Sequence, residues 1–308
     1  MGGFFNVTGC HFWGTLQVKL SGNLNTMNWD KGFVTILTGL YSFQDCIHFL
    51  ASVRKFHQEP ILVLIDQVPV ILHPLLKSFG NVILQQSPAD PNPVLASRRA
   101  KISLYELSPF KKTIFLDCDI CLLSDINDLF EKLDSVDFLI TEDIQPSISL
   151  ASNLLRVKQP ILPTLQSVGL PLNEQSIQYN TGLMAFRRSE KNAALFQQFQ
   201  HYFETILSHQ NVLLLRDQGA FAAAVEMTKP NFYVLPPTYN FLDKWKDHYG
   251  VLKEPIKVLH CTYPYRPQYA KNVTRSLPLR VFDRLAKVFL PNQVNNPWRL
   301  QKAKSQGV

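Results

Sequence analysis

The sequence predicts a mixed α/β fold built on a mainly parallel sheet that helices cover on both faces. Short, continuously apolar runs, such as Ile-Leu-Val-Leu-Ile at residues 61–65, have the length and composition of strands buried on both faces. These runs alternate with longer segments of helical periodicity, which is the order that parallel strands and their crossovers require. With 46% hydrophobic residues among 308, the chain can fill a large core.

The elements follow one another after an irregular opening rich in glycine, asparagine and aromatic residues. We expect strands at 33–37, 61–65, 81–84, 113–120, 138–140, 182–186 and 257–260, and helices at 42–55, 70–79, 96–107, 190–207, 217–226 and 279–290. The proline-containing segment 145–178 is expected to be a long excursion, and such connections are often functional. We therefore expect an N-terminal extension over 1–31, one α/β domain over 32–270 and a C-terminal helix and tail over 271–308.

The apolar run at residues 113–120 contains two carboxylates, Asp117 and Asp119, with Cys118 between them. Residues i and i+2 of a strand project from the same face, so we expect both carboxylates to point the same way. Two such groups repel each other unless a cation lies between them or one is protonated. Carboxylate oxygens suit Mg²⁺ or Mn²⁺, and either ion can hold the diphosphate of a nucleotide. A solvated pair in a turn is the alternative.

The formal net charge of +7 and the pI near 9.1 favour anionic partners such as nucleotides, phosphate-bearing glycolipids or acidic membranes. A charge that serves only solubility explains the same values. The sequence has no stripe of clustered basic residues with interleaved aromatics, so nucleic acid is not an expected partner. No apolar run approaches the roughly 18 residues of a membrane span. No signal peptide is apparent either, so we expect a cytoplasmic protein.

The five cysteines are scattered and odd in number, which does not predict a disulfide framework. Cys118 and Cys121 have the spacing of zinc ligands, and His260 and Cys261 would complete such a site. Because the first two cysteines lie inside an apolar run, small buried residues are the favoured interpretation.

Several separated motifs occur in order along most of the chain. They are Phe33-Val34-Thr35, Lys101, Phe115-Leu116-Asp117-Cys118-Asp119, Asp125-Ile126-Asn127-Asp128-Leu129-Phe130, Tyr179-Asn180-Thr181-Gly182, Asp217-Gln218-Gly219, Leu235-Pro236-Pro237-Thr238-Tyr239-Asn240 and Val258-Leu259-His260. An Asp-x-Asp motif alone occurs often by chance, whereas the ordered set is specific. In this set the chain resembles glycosyltransferase family 8, the glycogenin-like and lipopolysaccharide galactosyltransferase-like enzymes. The resemblance implies a GT-A fold, a single Rossmann-like domain with a mainly parallel central sheet.

The resemblance also implies a metal-dependent site for a UDP-sugar donor. Asp117, Asp119 and His260 match the family's metal ligands, and two carboxylates with an imidazole suit Mn²⁺, or Mg²⁺ in its place. The residues that would contact the donor are Thr35, Thr38, Lys101, Asp117, Cys118, Asp119, Asn180, Gly182 and Arg266. An exposed surface lysine at position 101 and a core histidine at position 260 are the alternatives.

Three further residues match the family's catalytic positions. Asp217 and Gln218 correspond to the Asp-Gln pair beneath the anomeric carbon of the donor sugar, although Asp217 also suits a helix cap. Asp143 corresponds to an acidic residue that touches sugar or acceptor, with Glu142 as its competitor. The sequence departs from the family where Arg266 replaces a lysine in a loop that lacks the usual glycine. Gly39 likewise stands near a position where many relatives carry asparagine.

The resemblance implies a retaining transferase that moves glucose or galactose from a UDP-sugar to a hydroxyl of a carbohydrate, glycolipid or protein acceptor. Because an amide is a poor nucleophile, we expect a front-face reaction rather than a double displacement. A catalytically inactive nucleotide-sugar-binding protein and a sugar-1-phosphate nucleotidylyltransferase are the alternatives. A nucleotidylyltransferase requires a Gly-rich, basic loop after the first strand, and residues 38–41 do not have that composition.

The predicted helix at 279–290 has one apolar face, with arginine and lysine elsewhere. This face consists of Val281, Phe282, Leu285, Val288 and Phe289. Packing on the domain explains it, and so does peripheral docking on the anionic, cytoplasmic face of a membrane. A homo-oligomer is also compatible with the sequence.

Overall fold

The computed structural model describes residues 29–150, 161–209, 217–260 and 276–290. Its sheets contain the strands β1 Trp29–Thr38, β2 Ile61–Asp66, β3 Val82–Gln86, β4 Phe110–Leu116, β5 Ile120–Leu122, β6 Phe138–Ser147, β7 Ile177–Arg187, β8 Phe232–Leu235, β9 Phe241–Leu242 and β10 Val258–His260. Seven strands form the main sheet in the order β3-β2-β1-β4-β7-β6-β8. Only β7 runs antiparallel to its neighbours β4 and β6 within this sheet. The predicted α/β fold with a mostly parallel sheet is confirmed.

The central strands are buried on both faces because their side chains alternate between two hydrophobic clusters. In β2, Leu62 and Leu64 belong to one cluster, while Ile61, Val63 and Ile65 belong to the other. Side chains of opposite parity point to opposite faces of a strand, so a continuous apolar run is needed to fill both layers. This explains why the sequence signal was a continuous run rather than an alternation.

Helices flank the sheet between its strands. They are α1 Phe43–Phe56, α2 His73–Lys77, α3 Pro93–Ile102, α4 Leu104–Leu107, α5 Asn127–Lys132, α6 Ile161–Ser167, α7 Glu190–Ser208, α8 Gln218–Thr228 and a last helix Leu277–Phe289. None of the helices in the described part of the chain is long and apolar enough to cross a bilayer. The helix expected over 96–107 is interrupted at Ser103, whose backbone leaves the helical region.

A cluster of phenylalanines fixes α8 against the sheet. Phe221, one turn into α8, has its ring centroid 5.5 Å from that of Phe138 on β6 and 5.2 Å from that of Phe199 on α7. Aromatic pairs of this kind add roughly 0.5–1.5 kcal/mol each beyond the area they bury. The start of α8 lies beside β6 and β7, where Gln218 contacts Asp143 and Gln178.

A second, small sheet brings a distant histidine to the acidic motif. It has the order β5-β10-β9, and β10 pairs antiparallel with β5 so that His260 lies opposite Ile120. Ile120 directly follows Asp119 in the sequence. This register therefore places the end of β10 beside the two aspartates.

The pairing of β6 with β7 contains two irregularities next to each other. Ile140 pairs with Met184, but Thr141 pairs with Asn180, so residues 181–183 of β7 bulge opposite one peptide of β6. Further along, Glu142 pairs with Tyr179 and Ser147 with Ile177, so residues 143–146 of β6 bulge in turn. Bulges redirect side chains and are common beside active sites. The strand that contains 138–140, expected to end at Glu142-Asp143, thus continues to Ser147.

The last helix packs on α1 through one side and leaves another side in solvent. Leu279 and Ala286 are buried, and the Phe282 ring centroid lies 6.3 Å from that of Phe43. Asp283 accepts a hydrogen bond of 2.9 Å from Gln44 and pairs with His48 on α1. The apolar face expected for this helix is therefore divided, because Val281, Leu285, Val288 and Phe289 are exposed. Packing on the domain is observed, and membrane contact stays a prediction.

Candidate active site

The acidic motif lies in a turn and not within a strand. β4 ends at Leu116 and β5 begins at Ile120, so the strand expected over 113–120 is broken by Asp117, Cys118 and Asp119. The backbone N–H of Ile120 donates to the carbonyl of Asp117 at 3.1 Å, which closes the turn. Both carboxylates still converge, but it is the turn that brings them together, not the alternation of side chains along a strand.

His260 completes a group of three possible metal ligands with these aspartates. One ligand atom from each of Asp117, Asp119 and His260 lies within 4.8 Å of the others, and the described residues form no other such group. The His260 Nε2 atom is 3.2 Å from Asp119 Oδ1. The zinc alternative is not supported at Cys118 and Cys121, since Cys118 packs against one hydrophobic cluster and Cys121 lies in another, and Cys261 is outside the described residues.

Two neighbours hold the imidazole of His260 in place. Its Nδ1 atom lies 2.9 Å from Oδ1 of the buried Asn240, whose own Nδ2 donates to Thr141 at 3.1 Å. When Nδ1 carries the proton and donates to Asn240, Nε2 keeps its lone pair for a metal. Gly182 provides the space, because a Cβ atom built there would lie 2.5 Å from His260 Cε1 and 2.8 Å from Nδ1.

Lys101 places an internal positive charge between two carboxylates. The lysine is only 7% exposed, so it is not the surface residue of the alternative interpretation. Its Nζ atom lies 2.9 Å from Asp117 Oδ1 and 3.5 Å from Asp217 Oδ2. The ammonium also lies over the Phe115 ring, 5.2 Å from its centroid. Lys101 therefore balances the charge of the site from within.

Asp217 uses its carboxylate within the site and not as a helix cap. Although Asp217 precedes α8, its side chain makes no capping hydrogen bond. Instead it accepts a 2.6 Å hydrogen bond from Thr181 Oγ1 and pairs with Lys101. Burial alone would raise the pKa of Asp217, but the charge of Lys101 and the Thr181 hydrogen bond lower it to about 2. The carboxylate is thus held ionised and enclosed.

Two amide side chains contact Asp143, and a third contacts one of these two. Gln218 Nε2 donates to Asp143 Oδ2 at 3.0 Å, and Asn180 Nδ2 lies 3.4 Å from the same oxygen. Gln178 Nε2 in turn donates to Gln218 Oε1 at 3.0 Å. Burial raises the pKa of Asp143, while these donors partly offset that effect. Glu142, the competing acid, points to solvent instead.

The charges of Asp117, Asp119 and His260 affect one another's pKa values. Burial raises the pKa of Asp117. The charge of Lys101 lowers this pKa, and the charge of Asp119 raises it. Burial would also raise the pKa of Asp119, but His260 and Lys101 outweigh it and lower this pKa to about 2. Burial would lower the pKa of His260, but Asp119 and Asp117 overcome it and raise the pKa. The carboxylates of Asp117 and Asp119, with the imidazole of His260 beside them, can accommodate a divalent ion.

The residues present fit such an ion on chemical grounds. Two carboxylates and one imidazole are the donor set that suits Mn²⁺, with coordination positions left for oxygen ligands from a diphosphate. The close approach of Gly182 and the Asn240 contact both favour a histidine that offers Nε2. Asp117, Asp119 and His260 are accordingly the residues that would hold the metal.

The described contacts do not connect Thr35 or Thr38 to this cluster. Thr35 is fully buried in the middle of β1, and its hydroxyl has no hydrogen-bond partner among the described residues. Thr38 lies at the carboxyl end of β1. Arg266 falls outside the described residues. Their proposed roles in donor binding stay predictions.

Sequence reasoning assigned no role to Gln178, Thr181 and Asn240, although all three contact predicted site residues. Thr181 and Asn240 lie inside motifs that the sequence analysis quoted, so proximity to a motif was the available signal. Gln178 lies one residue before the motif at 179–182, but its contact with Gln218 depends on the irregular pairing of β6 with β7.

Known structures share this architecture at low sequence identity. The bifunctional glycosyltransferase WbbM superposes with a TM-score of 0.57 at 12% identity, covering 84% of this chain and 52% of WbbM. The galactosyltransferase LgtC, solved with donor and acceptor sugar analogues, gives 0.55 at 14% identity, covering 87% and 99%. Mouse xyloside xylosyltransferase 1 gives 0.53 at 14% identity, covering 78% and 100%. The chain thus spans about half the length of WbbM, and its fold is GT-A.

Sequence comparison gives the family independently of the fold. No curated protein sequence matches the chain significantly. A family profile described as nucleotide-diphospho-sugar transferase matches residues 98–271, more than half of the chain. That range includes Lys101, the acidic turn, Asp143, β7 and His260. The chain therefore belongs to the nucleotide-diphospho-sugar transferase family.

Proposed function

We propose that this protein is a retaining, metal-dependent glycosyltransferase of family 8 that moves a hexose, glucose or galactose, from a UDP-sugar to an acceptor hydroxyl. The convergence of Asp117, Asp119 and His260 within 4.8 Å is the observation that carries the proposal. Family membership supports a nucleotide-diphospho-sugar as the donor. A galactosyltransferase among the similar structures agrees with a hexose donor, whereas the xylosyltransferase makes a pentose the competing choice.

When bound, Mn²⁺ would act as a Lewis acid that stabilises negative charge on the departing diphosphate. The chain's own residues prepare the site for this chemistry. Lys101 compensates the charges of Asp117 and Asp217, so the carboxylates can remain ionised side by side. Asp143, Asn180 and Gln218 offer polar groups that can orient sugar hydroxyls. Arg266 would contribute a guanidinium to the diphosphate.

A front-face reaction suits the described site better than a double displacement. Double displacement needs an available nucleophile on the far face of the sugar. Asp217 is a poor candidate, because it is 6% exposed and its carboxylate is already bonded to Thr181 and Lys101. In the front-face route the anomeric C–O bond breaks and its electrons leave with UDP. The acceptor oxygen then bonds to the same face, and its proton passes to the departing phosphate.

The proposed function is tested by measuring UDP release from a panel of UDP-sugars, with Mn²⁺ and with a chelator. We expect turnover of UDP-glucose or UDP-galactose that requires the metal and is abolished in Asp119→Asn. Faster turnover of UDP-xylose would overturn the hexose assignment. Binding of UDP and Mn²⁺ without turnover of any donor would instead identify an inactive binding protein. Pyrophosphate formation from UTP and a sugar 1-phosphate would identify a nucleotidylyltransferase.

The stereochemical route has its own test. Incubating the enzyme with a donor in the absence of acceptor, followed by intact-protein mass spectrometry, should reveal no glycosyl adduct. A covalent adduct on Asp217 or Gln218 would rule out the front-face route while leaving the transfer activity intact.

A further inference from the structure

We propose that Gln178 is a positioning residue that fixes the orientation of the Gln218 carboxamide, so that Gln218 serves as a hydrogen-bond donor to the sugar and not as a nucleophile. This inference rests on the proposed transferase function and adds a residue that the motifs did not single out. Gln178 lies on β7 and is 5% exposed.

The direction of the hydrogen-bond chain follows from its charged end. An ionised carboxylate accepts hydrogen bonds and cannot donate them, so Gln218 must present its NH₂ group to Asp143. In the 3.0 Å contact between Gln218 Nε2 and Asp143 Oδ2, Gln218 is the donor and Asp143 the acceptor. Gln218 Oε1 then faces the other way, towards Gln178, whose Nε2 donates to it at 3.0 Å.

The orientation of a second amide, Asn180, is determined independently of Asp143. The backbone N–H of Gly182 donates to Asn180 Oδ1 at 2.9 Å, and a backbone N–H can only donate. Asn180 must therefore turn its Nδ2 away from Gly182, and that atom lies 3.4 Å from Asp143 Oδ2. The orientation of Asn180 is fixed by Gly182 and not by Asp143, so its donation to Asp143 reinforces the role of Asp143 as acceptor.

This arrangement turns the one atom of Gln218 that could attack an anomeric carbon towards Gln178. An amide attacks through its oxygen, and Gln218 Oε1 is already engaged by Gln178. The nitrogen keeps a second N–H beyond the one given to Asp143, and that group can donate to an oxygen of the sugar. Gln218 is therefore suited to orient the donor and to stabilise charge on it.

Gln178 is placed for this task by the strand irregularity. Residues 143–146 of β6 bulge opposite Gln178, between the pairs Glu142–Tyr179 and Ser147–Ile177. The bulge brings Asp143 and Gln178 to the two ends of the Gln218 carboxamide. Because Gln178 is buried, losing its N–H would leave Gln218 Oε1 without this partner, and an unpaired buried polar group is unfavourable.

The test compares Gln178→Met and Gln178→Glu with Gln166→Met as a matched control. Methionine keeps the length of the side chain but removes the donor, while glutamate places an acceptor against Gln218 Oε1. Gln166 also donates from Nε2, to the Leu172 carbonyl at 2.8 Å, but lies in α6 outside the cluster. We expect kcat to fall about tenfold in Gln178→Met, as for one lost hydrogen bond, and further in Gln178→Glu. KM for the UDP-sugar should change less than about twofold, and the control should resemble wild type.

A second readout needs no turnover. The side-chain amide resonances of Gln218, measured by NMR in the unliganded protein, should shift in Gln178→Met and stay unchanged in Gln166→Met. Unchanged Gln218 resonances, or an unchanged kcat in an active Gln178→Met enzyme, would overturn the inference. If wild type turns over no UDP-sugar, the proposed function fails, and the NMR comparison still decides whether Gln178 orients Gln218.

Discussion

Individual side chains in this site act through the neighbours that hold them. His260 could be identified from the sequence because it ends a strand-like run within an ordered set of motifs. Asn240, which holds its ring, could not be assigned a role, because the contact depends on a turn of 3₁₀ helix that ends beside β10. The same holds for Thr181, whose hydroxyl reaches Asp217 from a bulge. Sequence motifs marked the candidate site residues, whereas folding geometry decides which other groups contact them.

The space that Gly182 leaves for His260 leads to the first prediction. In Gly182→Ala, the new Cβ would lie 2.5 Å from His260 Cε1, so the ring must move. We expect Mn²⁺ affinity, measured by calorimetry, to fall at least about tenfold, as for other disturbed ligand supports. Gly219→Ala is the control, because its Cβ would meet only the tip of Leu165, at 3.0 Å. Equal affinities in both variants would contradict this view of Gly182.

A second prediction concerns the amide that holds the imidazole. Asn240→Leu removes the acceptor of the His260 Nδ1 hydrogen bond, and we expect Mn²⁺ binding to weaken by about 10- to 100-fold. Asn240→Asp keeps an acceptor at the same distance and should bind the metal more tightly than the leucine variant. Calorimetric titration of both proteins with Mn²⁺ makes the comparison. Leucine and aspartate variants of equal affinity would show that the contact does not support the ligand.

At the scale of elements, periodicity predicted where most strands and helices lie but not where they change direction. The run at 113–120 is apolar enough to read as one strand, yet it turns at Asp117 because a backbone carbonyl and N–H close the turn there. Helical spacing likewise continued through Ser103, where the structure starts a new short helix. The bulges in β6 and β7 had no sequence signal, since they arise from how two strands pair. Turns and bulges of this kind create the site.

The helix that carries Lys101 offers a prediction at this scale. Asn92 caps α3 by accepting from the backbone N–H groups of Val94 and Leu95. Asn92→Ala should lower the free energy of unfolding by about 1 kcal/mol, whereas Asn92→Asp should retain most of it because aspartate caps equally well. Urea denaturation of the three proteins provides the measurement. An aspartate variant as unstable as the alanine variant would exclude capping as the cause.

For the whole molecule, the fold class and the broad family of nucleotide-diphospho-sugar transferases followed from a sequence pattern that extends over most of the chain. Continuous apolar runs identify a sheet covered on both faces whatever the exact element boundaries are, so the prediction tolerated local errors. The expected division into an extension, a domain over 32–270 and a tail stays a prediction, although β1 already begins at Trp29. The sequence did not predict which side chains of the last helix are buried. Leu279 and Ala286 are buried by packing, whereas Leu285 is 52% exposed.

Asp217 contributes to the pH dependence of the stability of the whole protein. Its pKa is lowered from an ordinary 3.8 to about 2, so the folded state favours the charged form. The resulting stability, about 2 kcal/mol, is fully present above about pH 5 and is lost as the pH falls through about 2. Asp217→Asn lacks this contribution, so its deficit in unfolding free energy relative to wild type should shrink as the solution is acidified. Urea denaturation at a series of pH values measures it, and a deficit independent of pH would contradict the assignment.

The position of Lys101 between Asp117 and Asp217 affects how the protein responds to the removal of divalent ions. A covalently attached cation cannot be washed away, so stripping divalent ions from the protein does not expose a cage of mutually repelling anions. Extensive dialysis against a chelator should therefore yield an intact, reloadable apoprotein rather than a denatured one. We therefore expect the bound ion to serve the reaction and not the stability of the fold.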